Sequence, residues 1–179
     1  MAGCKLTSNI TKTNCQYSIA GVKAVYLFNY DSKHTYTIGA DGVISAITLS
    51  GSDKAYKIDF INNTASFSDE LAQNGNGGKY RTHTLNFSLS EYDYNMLNQG
   101  DALSLGTFTA VVVDKSGRVV MLGRNNGLNA TAFNYASGAA DADANGWTVT
   151  LAGTEKEIAR LLESESVIAP VADETVVTP

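Results

Sequence analysis

The sequence predicts a mainly β protein of the α+β kind, an antiparallel β-sandwich or barrel with one central helix and a short C-terminal helix. Three observations carry that expectation. The composition is rich in Gly (16), Tyr (9) and Phe (6) and poor in Pro (2), which suits strands joined by Gly/Asn/Asp/Ser turns. Apolar and polar residues alternate in several short runs that follow one another in hairpin order. Helical spacing replaces alternation in only two places, one mid-chain and one near the end.

The elements follow in order. AGVKAVYLFNY, 20–30, is a dense β-branched and aromatic run and reads as a core strand at 22–30. VISAITLS, 43–50, sets Val43, Ser45, Ile47 and Leu49 against Ile44, Ala46 and Thr48, and the preceding Asp41-Gly42 is a hairpin signal. KAYKIDF, 54–60, puts Tyr56, Ile58 and Phe60 on one face of a half-buried strand. A long hairpin comes next. TASFSDEL alternates through Ala65, Phe67 and Leu71, YRTHTLNFSLS returns with Leu85, Phe87 and Leu89 inward, and QNGNGGK, 73–79, is a tip that cannot pack a core.

EYDYNMLNQG, 91–100, reads as the central helix, with Ser90 as N-cap, Asp93 in the first turn, Gly100 at the end, and Tyr92, Met96 and Leu97 on one face. TFTAVVVDKSGRVVMLG, 107–123, is a second hairpin of two apolar strands about Asp114–Gly117. A Gly/Asn/Ala-rich connection, 124–146, leads to a strand in which Trp147, Val149 and Leu151 alternate with Thr148 and Thr150. TEKEIARLLESES then opens with a capping-box pattern, Thr154 and Glu157, and predicts a helix over 154–163 with Ile158, Leu161 and Leu162 as an apolar face needing a partner. The domain plan is a 1–20 N-terminal arm, a 21–153 body, that helix, and a flexible acidic tail at 164–179.

At 179 residues with 44% hydrophobic residues, one domain with a real core is expected. A charged fraction of only 17% argues against disorder and for surface buried in an assembly. The net charge of −5 and the lack of a dense basic patch disfavour sequence-reading of nucleic acid. The opening residues lack the apolar core of a signal peptide, and no apolar run approaches the ~18 residues of a membrane span. Cys4 and Cys15 are therefore read as structural thiols, and the four N-x-S/T sequons as chance matches in an Asn/Thr-rich chain.

No constellation for catalysis emerges, and the chain is read as a non-enzyme without a cofactor. DADANG, 141–146, places Asp141, Asp143 and Asn145 at alternate positions before Gly146, as in the first half of a calcium loop. The twelfth position, where that loop has a bidentate Glu, is Ala152, so a polar turn entering a strand is the preferred reading and a calcium site the weak alternative. GNGGK, 75–79, lacks the phosphate-loop pattern, so a mobile hairpin tip, carrying Asn74, Gly77 and Lys79, is the preferred reading over a nucleotide site. His34 and His83 stand at unrelated positions, and His83 shares the parity of Leu85 and Phe87.

A family resemblance extends this reading. MAGCKLT followed by GVKAVYLFNYD (21–31), the YK…TASFS segment (56–68), the 82–90 strand and NGL…SGAADADANGWTVTLAGTE (126–155) resemble structural proteins of tailed phages of gut Bacteroidales, the crAss-like phages among them. The resemblance runs over most of residues 1–155 and stops there. It implies a tail-tube or head–tail ring subunit, assembled in the host cytoplasm into a six-fold ring of joined sheets and carried in the virion tail; the alternatives are another virion component, such as a capsid decoration or baseplate protein, and a non-viral β-sandwich binding module. It also implies contacts to itself and to other tail or connector proteins, passage of DNA through a lumen, no membrane and no cofactor. Contact candidates on this reading are the arm with Cys4 and Cys15, the Asn74–Lys79 tip, and the Ile158, Leu161 and Leu162 face. An acidic subunit would let a DNA backbone slide past without trapping it.

Overall fold

The computed structural model describes residue 6, residues 8–11 and residues 17–173. Among these described residues, eleven strands and one α-helix follow in order: β1 Val22–Asn29, β2 Thr35–Ile38, β3 Ile44–Thr48, β4 Tyr56–Ile58, β5 Ser66–Gln73, β6 Lys79–Leu89, α1 Tyr94–Leu105, β7 Thr107–Asp114, β8 Val119–Leu122, β9 Leu128–Ala136, β10 Gly146–Glu155 and β11 Arg160–Leu162. Two 3-10 turns, Glu165–Val167 and Ala169–Val171, end the chain's described part. The fold is mainly β and sandwich-like, and the strands form one open sheet in the order β2-β3-β11-β8-β7-β9-β10-β6-β5, with β1 on the other side of β7 and β4 on β1. The sheet does not close into a barrel.

The reason for this layout lies in the AVVV and VVML runs. A strand covered on one face alternates, whereas a strand covered on both faces is apolar throughout. Strand β7 is buried along nearly its whole length and all four residues of β8 are buried. Ala110, Val112, Val120 and Leu122 face one core with Leu85, Phe87, Leu89, Val149 and Leu151 of β6 and β10. Val111, Val113, Val119 and Met121 face a second core with Phe28, Ile44, Ile47 and Leu162, covered by Val167 and Ile168. In β1 the two cores exchange parity. Val22 lies in the first and Ala24 in the second, because a bulge at Lys23 shifts the register against β7.

The helix begins later than its sequence pattern. Asp93, not Ser90, is the N-cap and accepts from Met96 N at 2.7 Å, while Ser90 Oγ donates to Glu91. Gly100 does not end the helix. It is buried inside it, and a Cβ there would press on the Phe133 ring of β9 at 3.2 Å, so glycine serves close packing. Met96 and Leu103 face the first core; Leu97, expected beside Met96, is 54% exposed.

The expected helix at 154–163 is absent. Thr154 and Glu155 continue β10 against Thr82 and Arg81, and Arg160–Leu162 pair with Met121–Val119 of β8. Polar bonds made largely across the sequence defeat the capping box: Glu157 binds Arg124 and Arg160 rather than reaching back, and the buried Glu155 carboxylate accepts from Asn125 N at 2.9 Å and Asn126 N at 3.0 Å. The expected flexible tail from 164 is likewise corrected as far as Asp173. Ala55 N donates to Val171 O at 2.8 Å and Asp173 N to Ala55 O at 2.8 Å, over the buried Val167 and Ile168. Residues 174–179 lie outside the described residues.

If both faces of the β1–β7–β8 unit are core, one large side chain from each should matter alike. Phe28→Ala and Phe87→Ala are each expected to cost about 3–5 kcal/mol in urea unfolding, within one cooperative transition. A loss below about 1 kcal/mol for either would identify that side as peripheral.

Candidate assembly surfaces

The open sheet ends in edges. Strand β5 is hydrogen-bonded to β6 alone and β2 to β3 alone. An edge strand offers unpaired N–H and C=O groups to another chain. On β5, Glu70 and Leu71 are exposed, Leu71 at 59%. The Asp69 carboxylate accepts from Arg81 Nε at 2.6 Å and Ala159 N at 2.8 Å, which holds the Ile158–Ala159 connection beside this edge. Partial burial alone would raise the Asp69 carboxyl, but Arg81, the Ala159 amide and His83 together hold it below the usual range. Ile158 is 66% exposed there.

At the end of the same hairpin the tip is a formed turn. Asn74 N donates to Gly78 O at 2.9 Å, Asn74 Oδ1 accepts from Gly78 N at 2.8 Å, and Gly77 sits at φ +79°, where glycine fits. Asn74, Gly77 and Lys79 are all exposed. Of the predicted apolar face, Leu161 is 46% exposed, but Leu162 is a core residue at 5% and is corrected accordingly. Cys4 and Cys15 lie outside the described residues.

A partly buried ion cluster fastens the β10–β11 connection to its neighbours. Glu157 binds Arg124 and, at 2.8 Å, Arg160 Nε, while Arg160 Nη1 donates to Gly42 O at 2.9 Å. Burial works against the Glu157 charge, yet the two guanidinium groups outweigh it and hold the carboxyl at about 2. Arg124 also lies over the Tyr36 ring at 5.8 Å, and burial pushes the Tyr36 hydroxyl up to about 12. Strand β2 and its hairpin are thus tied to the body by charge that sequence spacing did not reveal.

The remaining sequence candidates have structural partners. His83 is 2% exposed; its Nδ1 accepts from Gly123 N at 3.2 Å, so Nε2 carries the proton and faces Asp69 at 3.5 Å. His34 Nδ1 accepts from Ser50 N at 2.9 Å and its Nε2 meets Asn29 O at 2.9 Å, which ties two turns together. Those turns frame a polar cleft of about 660 Å³ lined by Asn29, Tyr30, Asp31, Ser50, Asp53 and Tyr56. Its carboxylates bind within the loops: Ser50 Oγ donates to Asp31 at 2.6 Å and Asn29 Nδ2 to Asp53 at 2.9 Å.

In DADANG, Asp143 Oδ2 accepts from Ala139 N and Ala140 N, both at 2.8 Å, and these bonds lower its carboxyl. Asp141 and Asn145 are exposed, and Gly146, at φ +131°, has Leu89 O where a Cβ would stand. The hexamer caps a turn and starts β10. Among the described residues no group of three or more His, Cys, Asp or Glu is placed to hold a metal ion. Among the same residues no helix is long and apolar enough to cross a membrane. No family model, no curated protein and no solved structure matches the chain.

The Glu157 cluster makes a pH prediction. A carboxylate held lower in the folded state stabilises above its ordinary value and loses that contribution as pH falls to the folded one, here from about 4.5 to about 2. Glu157→Gln should cost about 1–2 kcal/mol at pH 7 after allowance for solvent screening, and should flatten the acid limb of thermal stability over that window. An acid limb identical to that of the parent protein would remove the cluster from the account.

Proposed function

We propose that the chain is a self-assembling structural subunit, and that its setting is a phage virion, as a tail-tube or head–tail ring component around a DNA channel. The observation that carries the assembly part is the open, branched sheet, whose ends are the eight-residue β5, β2 and the short β4, each paired with one strand only. Joining β5 of one copy to an edge of the next would satisfy both and would close a ring if the rotation per subunit closes. The exposed Leu71 and Ile158 and the Asn74–Lys79 tip flank that edge and supply side-chain contacts. The virion setting rests on the resemblance alone.

The polar cleft of about 660 Å³ favours a second reading, a β-sandwich binding module, in which the chain would remain monomeric and bind a polar ligand.

Light scattering on the purified chain, with negative-stain imaging, separates these. Rings with a pore are expected, and Leu71→Lys should reduce them to monomers by placing a charge on the edge without unfolding the body. A chain that stays monomeric at high concentration, or compact knobs on capsids in place of rings, would overturn the ring proposal.

A further inference from the structure

We propose that the outer face of α1 is the docking surface for the N-terminal arm of a second copy of this chain. The proposal deepens the assembly reading by naming a contact separate from the sheet edges. Two pieces of this chain carry large apolar side chains that the body leaves more than half exposed. On the arm, Leu6, Ile10, Tyr17 and Ile19 are 83%, 88%, 102% and 59% exposed. On the helix and beside it, Tyr92, Tyr94, Leu97 and Leu105 are 57%, 79%, 54% and 87% exposed.

Their charges are opposite. The first acidic residue of the chain is Asp31, so the arm carries Lys5 and Lys12 with no compensating acid. Between Arg81 and Lys115 there is no Lys or Arg, whereas Glu91, Asp93 and Asp101 all fall on or next to α1. The loop after Ala136 joins this region through the Tyr92–Tyr135 ring contact at 4.7 Å and adds Asp141 and Asp143, again with no base between Arg124 and Lys156. Amphipathic partners of opposite sign are matched in both the apolar and the electrostatic sense.

The helix surface is also firm enough to receive a chain. Trp147 is stacked between Tyr92 at 5.3 Å and Phe133 at 4.6 Å, and Gly100 rests on Phe133, so the helix is pinned to β9 and β10 from behind. The described part of the arm is fastened to its own body at the base, where Ile19 N and O both bond Ser116 Oγ, at 3.3 Å and 3.0 Å. Above that base the described apolar side chains Leu6, Ile10 and Tyr17 are left open to a neighbour. The contact joins unlike surfaces of two copies and so propagates head to tail.

The chain's own arm thiols supply the test. A Leu97→Cys variant of the full chain, made as an equal mixture of light and isotopically heavy protein and mildly oxidised, should yield disulfide-linked peptides joining position 97 to Cys4 or Cys15 with mixed isotope labels. Same-label pairs only would mean that the arm folds back on its own helix and would overturn the proposal, as would the absence of any such link while assemblies persist. In parallel, a double Lys5→Glu, Lys12→Glu variant should weaken self-association about ten-fold or more, and so should a Glu91→Lys, Asp101→Lys variant. Mixing the two variants should restore assembly. Unchanged self-association in both variants sinks arm docking while leaving edge-joined rings standing, and no self-association of the parent chain sinks both.

Discussion

The fold depends on one constraint, the burial of β7 and β8 on both faces. A strand with two covered faces needs partners on two sides, and no single hairpin can supply them. The chain answers with β6 and β10 against one face. It answers with β3, β11 and the 165–171 turns against the other. The C-terminal segment is therefore part of the body: Leu162, Val167 and Ile168 fill the second core that β11 helps to frame. Any account that ends the domain at residue 153 strips Leu162, Val167 and Ile168 from the core that holds Val111, Val113 and Met121, at a loss on the order of 1.5–3 kcal/mol for each of the three side chains.

Polar chemistry in this molecule is spent on holding connections. Glu157 between two arginines, Asp69 on the Ala159 amide, Glu155 on the Asn125 and Asn126 amides, and His34 between two turns each fasten a loop to a strand. These groups share a pattern of partial or full burial with most acceptors occupied, which rigidifies the edges of the sheet without adding apolar area. A rigid edge is what a subunit needs if its neighbours are to meet it in one register.

Much of the sheet was legible because period-two alternation is a local property. The strands at 22–29, 44–48, 79–89, 107–114 and 119–122 stand within a residue or two of their sequence patterns. Strand β9 was not legible: Asn129, Ala130, Thr131 and Ala132 are small or polar, and the segment becomes a strand only because β10 lies alongside it. The 154–163 segment misled for a complementary reason. Its i, i+3, i+4 spacing of Ile158, Leu161 and Leu162 was real, but pairing with β8 and the charge of Arg124 lie far away in sequence and outweigh a short helix's propensity. Of the contact candidates, the tip and Ile158 are on the surface as their composition suggests, whereas Leu162 is not, since burial on a three-residue strand follows parity rather than helical face.

The bulge at Lys23 has a geometric consequence for the start of the chain. With strict alternation, Val22 and Ala24 would point the same way, and the backbone preceding them would leave β1 with the opposite orientation. The extra residue turns Val22 toward the first core, puts Lys23 outside where it pairs with Glu165 at 3.0 Å, and leads into Gly21 at φ +108° against Lys115. A single inserted residue thus acts as a pointing device. It fixes the direction in which the backbone leaves the sheet at Gly21, and deleting it would turn Val22 out of the first core while leaving nearly every other core contact in place.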